Sequence, residues 1–165
     1  MDMYNERQPK QLVRDSKQDL SKYELLTKTL QSGVDYNSAV VFVTRLKTYE
    51  DLFDNVIKCR SVVDNCPGDT LTIYVGLVDA RISMIIAFKE FLGAVGASVT
   101  TIFRGQMDMY NALLFTAGQT RAISSESTVT LAPDMPGASE LLESINYNPK
   151  TAEEALQANL ATDII

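Results

Sequence analysis

The stretch "SVTTIFRGQMDMYNALLFTAGQTR", residues 98–121, decides the fold that the sequence predicts. Its first six residues, SVTTIF, are rich in β-branched and apolar side chains and are typical of a buried strand. Residues 106–117 carry apolar side chains at helical spacing, and Gly118 suits the position just past the end of a helix. Arg104, Gly105 and Gln106 then form a strand-to-helix junction, where free backbone N–H groups of an α/β protein can stabilise negative charge.

Strands and helices alternate on both sides of this junction. The patterns predict strands at 38–43 and 70–75, helices at 48–65 and about 80–95, and two short β-rich pieces at 121–124 and 127–132. In the helix at 48–65, Thr48 and Asp51 are spaced as a capping box, and the apolar face carries Leu52, Val56, Val63 and either Cys59 or Arg60. Such alternation implies right-handed crossovers, so we expect an α/β fold with a mainly parallel sheet flanked by helices.

The two ends of the chain differ from this regular centre. Residues 1–33 are polar and charged and form a predicted N-terminal arm, which leaves residues 34–165 as a single domain. Near the other end, the acidic segment ASELLES at 138–144 is interpreted as a solvated helix face. A last helix is predicted in TAEEALQANL, residues 151–160, with Thr151 and Glu154 spaced as a second capping box.

Composition excludes several classes of function. The net charge of −6 argues against a nucleic-acid binder, because such affinity depends on Lys and Arg neutralising phosphates. No apolar run approaches the roughly 20 residues of a membrane span, and the polar start lacks the apolar core of a secretory signal, so we expect a cytoplasmic protein. The chain contains no histidine, which excludes Ser-His-Asp and Cys-His catalysis within one subunit and His-ligated zinc. No cofactor or metal is predicted.

The segment GQMDMYNALLFTAG, residues 105–118, is similar without a gap to the segment G-Q-A-A-S-M-x-A-x-L-L-x-A-G of the Clp protease proteolytic subunit, ClpP. In that family the serine is the nucleophile. The matching position in this chain is Met109, whose thioether has no proton to lose and cannot replace an alkoxide.

Three further segments resemble the same family in the same order. DTLTIYVGLVDARISMIIAF resembles D-x-I-x-L-Y-I-N-S-P-G-G-x-V, which puts Asp79 and Ala80 at the glycine pair that contacts the oxyanion and the substrate strand. TRAISSESTVTLAP resembles K-R-x-x-L-P-N-S-R-x-M-I-H-Q-P and puts Ala132 at the catalytic histidine. KTAEEALQANLATDII resembles the family's C-terminal segment, whereas the long handle normally inserted between residues 133 and 150 is almost absent.

The resemblance implies a ClpP/crotonase-like stack of β-β-α units and a handle-truncated, degenerate member of the ClpP family. With nucleophile, histidine and oxyanion glycines all replaced, the implied function is that of an inactive pseudoprotease, a structural or peptide- or protein-binding subunit. Because family members form rings of six or seven subunits that stack through their handles, we expect a homo-oligomer, either a single ring or a smaller assembly. A compact, truncated relative of this kind suits a phage genome, in which case the protein would act in the host cytoplasm.

Other interpretations remain open at this point. Met109 is either a core side chain or a contact for a bound peptide or ligand, and Gly105, Gln106 and Asp108 are candidate binding residues at the junction. Asp79 and Asp108 could instead approach each other and divide acid and base roles, as in a crotonase-type enzyme acting on acyl-CoA thioesters. A third possibility is an adaptor that regulates an active ClpP ring.

Overall fold

The computed structural model describes residues 33–35, 39–66, 68, 70–132, 134–135, 139, 141, 143, 145 and 148–165. The predicted arm lies outside the described residues except for Gly33, and the predicted acidic helix at 138–144 lies outside them except for three positions. Within the described part, no helix has the length and apolar character needed to cross a membrane.

The described residues form eight strands and four helices. In chain order these are β1 (Val34–Asp35), β2 (Val40–Leu46), α1 (Tyr49–Asn65), β3 (Thr70–Ala80), α2 (Ile82–Gly93), β4 (Ser98–Phe103), β5 (Gln106–Met107), α3 (Met109–Phe115), β6 (Thr120–Ile123), β7 (Thr128–Val129), α4 (Ala152–Gln157) and β8 (Asp163–Ile164). Six strands make one sheet in the order β1-β2-β3-β4-β6-β8, in which only the β1–β2 pair is antiparallel. The predicted α/β class with a mainly parallel sheet is therefore confirmed.

The core lies between this sheet and the helices packed against it. Buried and less buried residues alternate along β3, where Leu71, Ile73 and Val75 are buried, because successive side chains of a strand point to opposite faces. Phe88 of α2 and Phe115 of α3 are the largest fully buried side chains described. They fill the space beside the sheet, and burying side chains of this kind contributes roughly 2–3 kcal/mol each.

One predicted boundary is wrong in an informative way. Residues 106 and 107 were expected to begin a helix, but they form β5, which pairs in parallel with β7 as a separate two-stranded sheet. The Thr128 N–H donates to the Gly105 carbonyl (3.0 Å) and the Thr130 N–H to the Met107 carbonyl (2.8 Å). These hydrogen bonds come from a segment about 20 residues further along the chain, so local helix spacing could not reveal them, and α3 begins only at Met109.

Strand β3 is longer than predicted. It continues from Val75 through Ala80, and its pairing with β2 steps from Val43 opposite Val75 to Arg45 opposite Asp79. Four residues of β3 thus span the length that two residues of β2 cover, which is a bulge. The segment GLVDA, expected to replace a glycine-rich turn, is therefore part of a bulged strand.

The helix ends confirm one capping box and correct two other predictions. Thr48 and Asp51 make both reciprocal bonds of the box that begins α1. At α4 the Thr151 hydroxyl caps the Glu154 N–H, but the Glu154 carboxylate accepts from the Lys150 N–H, one residue before the expected donor. That helix also ends at Gln157, earlier than the predicted residue 160.

Gly118 does not have the helix-ending role expected of it. Helix α3 ends at Phe115 with Thr116 as its cap, and Gly118 is not among the glycines with positive φ. A Cβ at Gly118 would lie 2.6 Å from Thr101 Oγ1 and 2.6 Å from the Thr120 carbonyl oxygen. Glycine is required at position 118 because β4 and β6 approach its backbone closely. The backbone conformation at this position does not itself require glycine.

Candidate functional site

A small pocket lies where the end of β3 meets the start of α3. It encloses about 230 Å³ and is lined by Leu77, Val78, Asp79, Ala80, Asp108 and Tyr110. Three of the residues predicted to belong to a site, Asp79, Ala80 and Asp108, therefore come together here. The bulge in β3 and the N-terminal turn of α3 bring them together, although 27 residues of chain lie between Ala80 and Asp108.

Asp79 is held by two cations at the edge of this pocket. Its carboxylate lies 3.1 Å from Arg45 Nη2, near the end of the neighbouring strand β2, and 3.6 Å from Lys47 Nζ, directly after that strand. Arg45 also lies 3.7 Å from the Asp51 carboxylate, so the four side chains form one charge cluster. Asp79 consequently acts as an ion-pair partner for β2, and its negative charge is largely compensated.

Asp51, the other acid of this cluster, is held mainly by backbone donors. Hydrogen bonds from the Thr48 and Lys47 N–H groups are the main cause of the lowered pKa of Asp51, with a smaller contribution from Arg45. The carboxylate therefore stays ionised at neutral pH, and the start of α1 is tied to the end of β2.

Asp108 is the N-cap of α3. Its Oδ1 accepts hydrogen bonds from the Asn111 N–H (2.9 Å) and from Asn111 Nδ2 (2.8 Å). An Asp at this position satisfies a backbone donor that the helix itself leaves unpaired. Both carboxylates of the pocket thus already have structural partners, which argues against their acting as a free acid–base pair.

Asn111 is the site residue that sequence reasoning missed. Its side chain is buried and faces the backbone of Leu77, whose N–H donates to Asn111 Oδ1 (2.7 Å) and whose carbonyl accepts from Asn111 Nδ2 (3.2 Å). The amide therefore pairs with β3 as a neighbouring strand would, and it holds α3 against the bulge. The available signal was one carboxamide within the apolar run MYNALLF, since a buried amide needs several partners.

Met109 and Ala132, the positions matched to the nucleophile and the histidine, do not line the pocket. Met109 is the first residue of α3 and only 2% exposed, packed within the core. Ala132 is exposed in the loop after β7, where its carbonyl accepts from the Met135 N–H (3.2 Å). Of the two interpretations given for Met109, the structure favours core packing.

Gly105 and Gln106 also lie away from the pocket. Gly105 has φ +116°, a conformation that L side chains rarely adopt, and its N–H donates to the buried Ser127 hydroxyl (3.1 Å). Gln106 is exposed on β5 opposite Thr128. Of the three candidate binding residues at the junction, only Asp108 contributes to the pocket.

A second cavity of about 440 Å³ lies beside β7, lined by Thr128, Val129, Thr130, Leu131, Asn148, Pro149 and Lys150. Among the described residues that line it, Lys150 alone is charged. Within the ranges that the structure describes, no three His, Cys, Asp or Glu side chains group together as metal ligands would.

Comparison of the chain with protein families and with curated proteins finds no match. A functional assignment therefore depends on the motifs, the pocket and its surrounding contacts.

Proposed function

We propose that this protein is a catalytically inactive, ClpP-like pseudoprotease that acts as a structural, oligomer-forming subunit and binds a peptide or protein segment. One observation carries the proposal. The residue matched to the family's nucleophile, Met109, is a buried core side chain, whereas its chain neighbours Asp108 and Tyr110 line a pocket at the end of β3. A pocket that binds a ligand can therefore exist in this chain without a catalytic nucleophile.

The arrangement of elements supports the family resemblance. Helices α1 and α2 follow β2 and β3, and the small β5–β7 sheet stands apart from the main sheet at the junction that the motif marks. The shortened region between residues 133 and 150 removes the element through which family rings stack. A single ring or a smaller homo-oligomer is accordingly part of the proposal, and native mass in solution tests it.

The groups near the pocket do not provide hydrolytic chemistry. The chain has no histidine to serve as a general base, and a thioether cannot be activated as a nucleophile. Asp79 is paired with Arg45 and Lys47, and its carboxylate would repel a developing oxyanion instead of stabilising it.

The size and rim of the pocket favour a peptide as its ligand. At about 230 Å³ it is smaller than the roughly 300–1,000 Å³ of most small-molecule and cofactor sites, and it suits one side chain of an extended segment. Val78 at its rim is 82% exposed and offers an apolar contact. An extended peptide could also add main-chain hydrogen bonds at a strand edge, a binding mode that requires no nucleophile.

Activity-based labelling and a binding assay test the proposal together. A serine-reactive fluorophosphonate should leave the protein unlabelled, unfolded casein should remain uncut, and fluorescent peptides derived from casein should bind in a polarisation assay. Val78→Asp should abolish that binding, whereas Leu156→Asp, a matched change at an exposed leucine of α4, should not affect it. Stoichiometric labelling, casein cleavage, or binding equally insensitive to both variants would contradict the proposal.

A second candidate, a crotonase-type enzyme acting on acyl-CoA, has one observation in its favour, that Asp79 and Asp108 line the same pocket, and one against it, that both carboxylates have structural partners. Turnover of an acyl-CoA panel that Asp108→Asn abolishes would support it. Asparagine caps helices as well as aspartate does, so this variant keeps the fold and removes only the charge. Absence of turnover across the panel would exclude this candidate.

A further inference from the structure

Helix α1 has an unusual distribution of polar and apolar side chains. Its inner face buries two amides, Asn55 and Asn65, together with Cys59 and Val62. Its outer face carries three large apolar side chains, Tyr49, Phe53 and Ile57, which are 67%, 59% and 66% exposed. An ordinary surface helix places polar residues on its outer face. The exposed apolar side chains of α1 therefore indicate that its outer face is a contact surface.

These three residues, here called the α1 ridge, are spaced at i, i+4 and i+8. Side chains at this spacing form one continuous row along a helix, and two such rows interdigitate when helices cross at about −50°, the commonest class of helix packing. The α1 ridge is therefore shaped to pack against another helix. Within the described part of the chain, no element covers it.

The charges around the α1 ridge indicate which helix packs against it. The N-terminal half of α1 carries three acids, Glu50, Asp51 and Asp54, and the C-terminal half carries Lys58, Arg60 and one acid, Asp64. Ion pairs within the helix, Lys58–Asp54 (2.8 Å) and Arg60–Asp64 (3.7 Å), keep the surface nearly neutral, so it suits neither a strongly basic nor a strongly acidic partner. An antiparallel copy of α1, by contrast, brings each acidic half close to the half that carries both cations.

We propose that the α1 ridge is the contact surface of a twofold-symmetric homodimer in which two α1 helices cross antiparallel. The contact is self-complementary, as a twofold axis requires. The axis passes between Phe53 and Ile57, and Glu50 of each copy lies near Arg60 of the other. This inference depends on α1 alone and specifies the smaller homo-oligomer that the proposed function allows, whereas the peptide-binding part of that function does not depend on it.

The available area is that of a small interface. Each ridge side chain exposes on the order of 100 Å², so the six in a dimer bury about 600 Å². That is roughly half of the smallest standard interface of about 1,200 Å², and the flanking charged residues extend it. A dimer that dissociates on dilution in the micromolar range is expected.

Sedimentation equilibrium across a range of protein concentrations tests the dimer. The wild-type protein should convert from monomer to dimer, and Phe53→Asp and Ile57→Glu should each remain monomeric. Because both side chains are exposed in the monomer, the variants should retain the wild-type circular dichroism and melting temperature. Leu156→Asp, the same kind of change on α4, should dimerise as the wild type does.

Charge reversal tests the antiparallel orientation. Glu50→Lys or Arg60→Glu alone should weaken dimerisation roughly tenfold at low salt, and the double variant should recover it. The proposal would be overturned by a wild-type protein that stays monomeric, or by any oligomer, including a ring, that persists in both ridge variants. Failure of the double variant to recover dimerisation would overturn the antiparallel arrangement.

Discussion

Helices α1 and α3 differ in how completely the fold accounts for their residues. Apart from Tyr110, which is half-buried, every residue of α3 is buried, and its one carboxamide is fully paired with Leu77 and Asp108. In α1 the inner face is packed, but the outer face exposes the α1 ridge. Packing thus explains the residues of α3, the helix that carries the protease-like motif. The exposed apolar side chains that packing does not explain lie on α1, which carries no such motif.

This difference shows that a motif and a functional surface need not coincide. Residues such as Met109 and Leu114 would persist in α3 for packing alone, because core positions tolerate few changes in volume. Nothing within the described fold requires Phe53 or Ile57 to be apolar. Four measurements test how tightly α3 is held, how well the inner face of α1 is sealed and how its first turn is capped.

Gly118→Ala should have the largest effect, because the new Cβ would meet Thr101 Oγ1 and the Thr120 carbonyl oxygen at 2.6 Å, directly after α3. We expect a loss of about 3 kcal/mol in the free energy of unfolding, measured by urea denaturation. Gly93→Ala is the matched control, since nothing lies within 4 Å of its Cβ position and alanine favours the helix. Equal stabilities of the two variants would mean that the region after α3 is loosely packed.

Asn111→Ala should destabilise the protein by about 2 kcal/mol, because it leaves the buried Leu77 N–H and carbonyl without their partner. The same denaturation experiment on Asn148→Ala, at an exposed asparagine, should show a change within about 0.5 kcal/mol. If Asn111→Ala were as mild as its control, α3 would not depend on its bond to β3, and the contrast with α1 would weaken.

Cys59, on the inner face of α1, reports on how well that face is sealed. Burial raises the pKa of its thiol from 9.0 to about 12. A raised pKa in the folded state means that the stabilisation is complete below the unfolded pKa and is lost as pH rises from about 9 towards 12. At about pH 10 the loss should be roughly 1.4 kcal/mol.

Urea denaturation of the wild type and of Cys59→Ala at several pH values measures this contribution, because the other titrating groups are common to both proteins. The wild type should lose stability more steeply above pH 9. Coincident pH profiles would show that the inner face of α1 is open to solvent.

Thr48→Ala should have the smallest effect, about 1 kcal/mol, because it removes one half of the capping box that begins α1. Thermal denaturation followed by circular dichroism should detect it, and Thr48→Ser, which keeps the hydroxyl, should be close to neutral. A loss in Thr48→Ser as large as that in Thr48→Ala would assign the effect to the lost methyl group instead of the hydrogen bond to Asp51.

Much of the fold could be predicted because it depends on local patterns. The β-branched run at 98–103 became β4, and the start of α1 followed from Thr48 and Asp51, since strand periodicity and helix capping act over a few neighbouring residues. The candidate site was predicted in part. Asp79, Ala80 and Asp108 do meet in one pocket, whereas Gly105 and Gln106 lie on the small sheet and Met109 lies in the core.

By itself the sequence determined the alternation of strands and helices, the absence of histidine and the cap that begins α1, because each of these depends on residue identity or on neighbours in the chain. Only the tertiary structure decided that residues 106–107 form a strand, why position 118 must be glycine, what Asn111 binds and which face of α1 remains uncovered. Each of these features depends on groups brought together by folding from distant parts of the chain. Leu77 and Asn111 are 34 residues apart, so neither local propensity nor periodicity carries information about their contact.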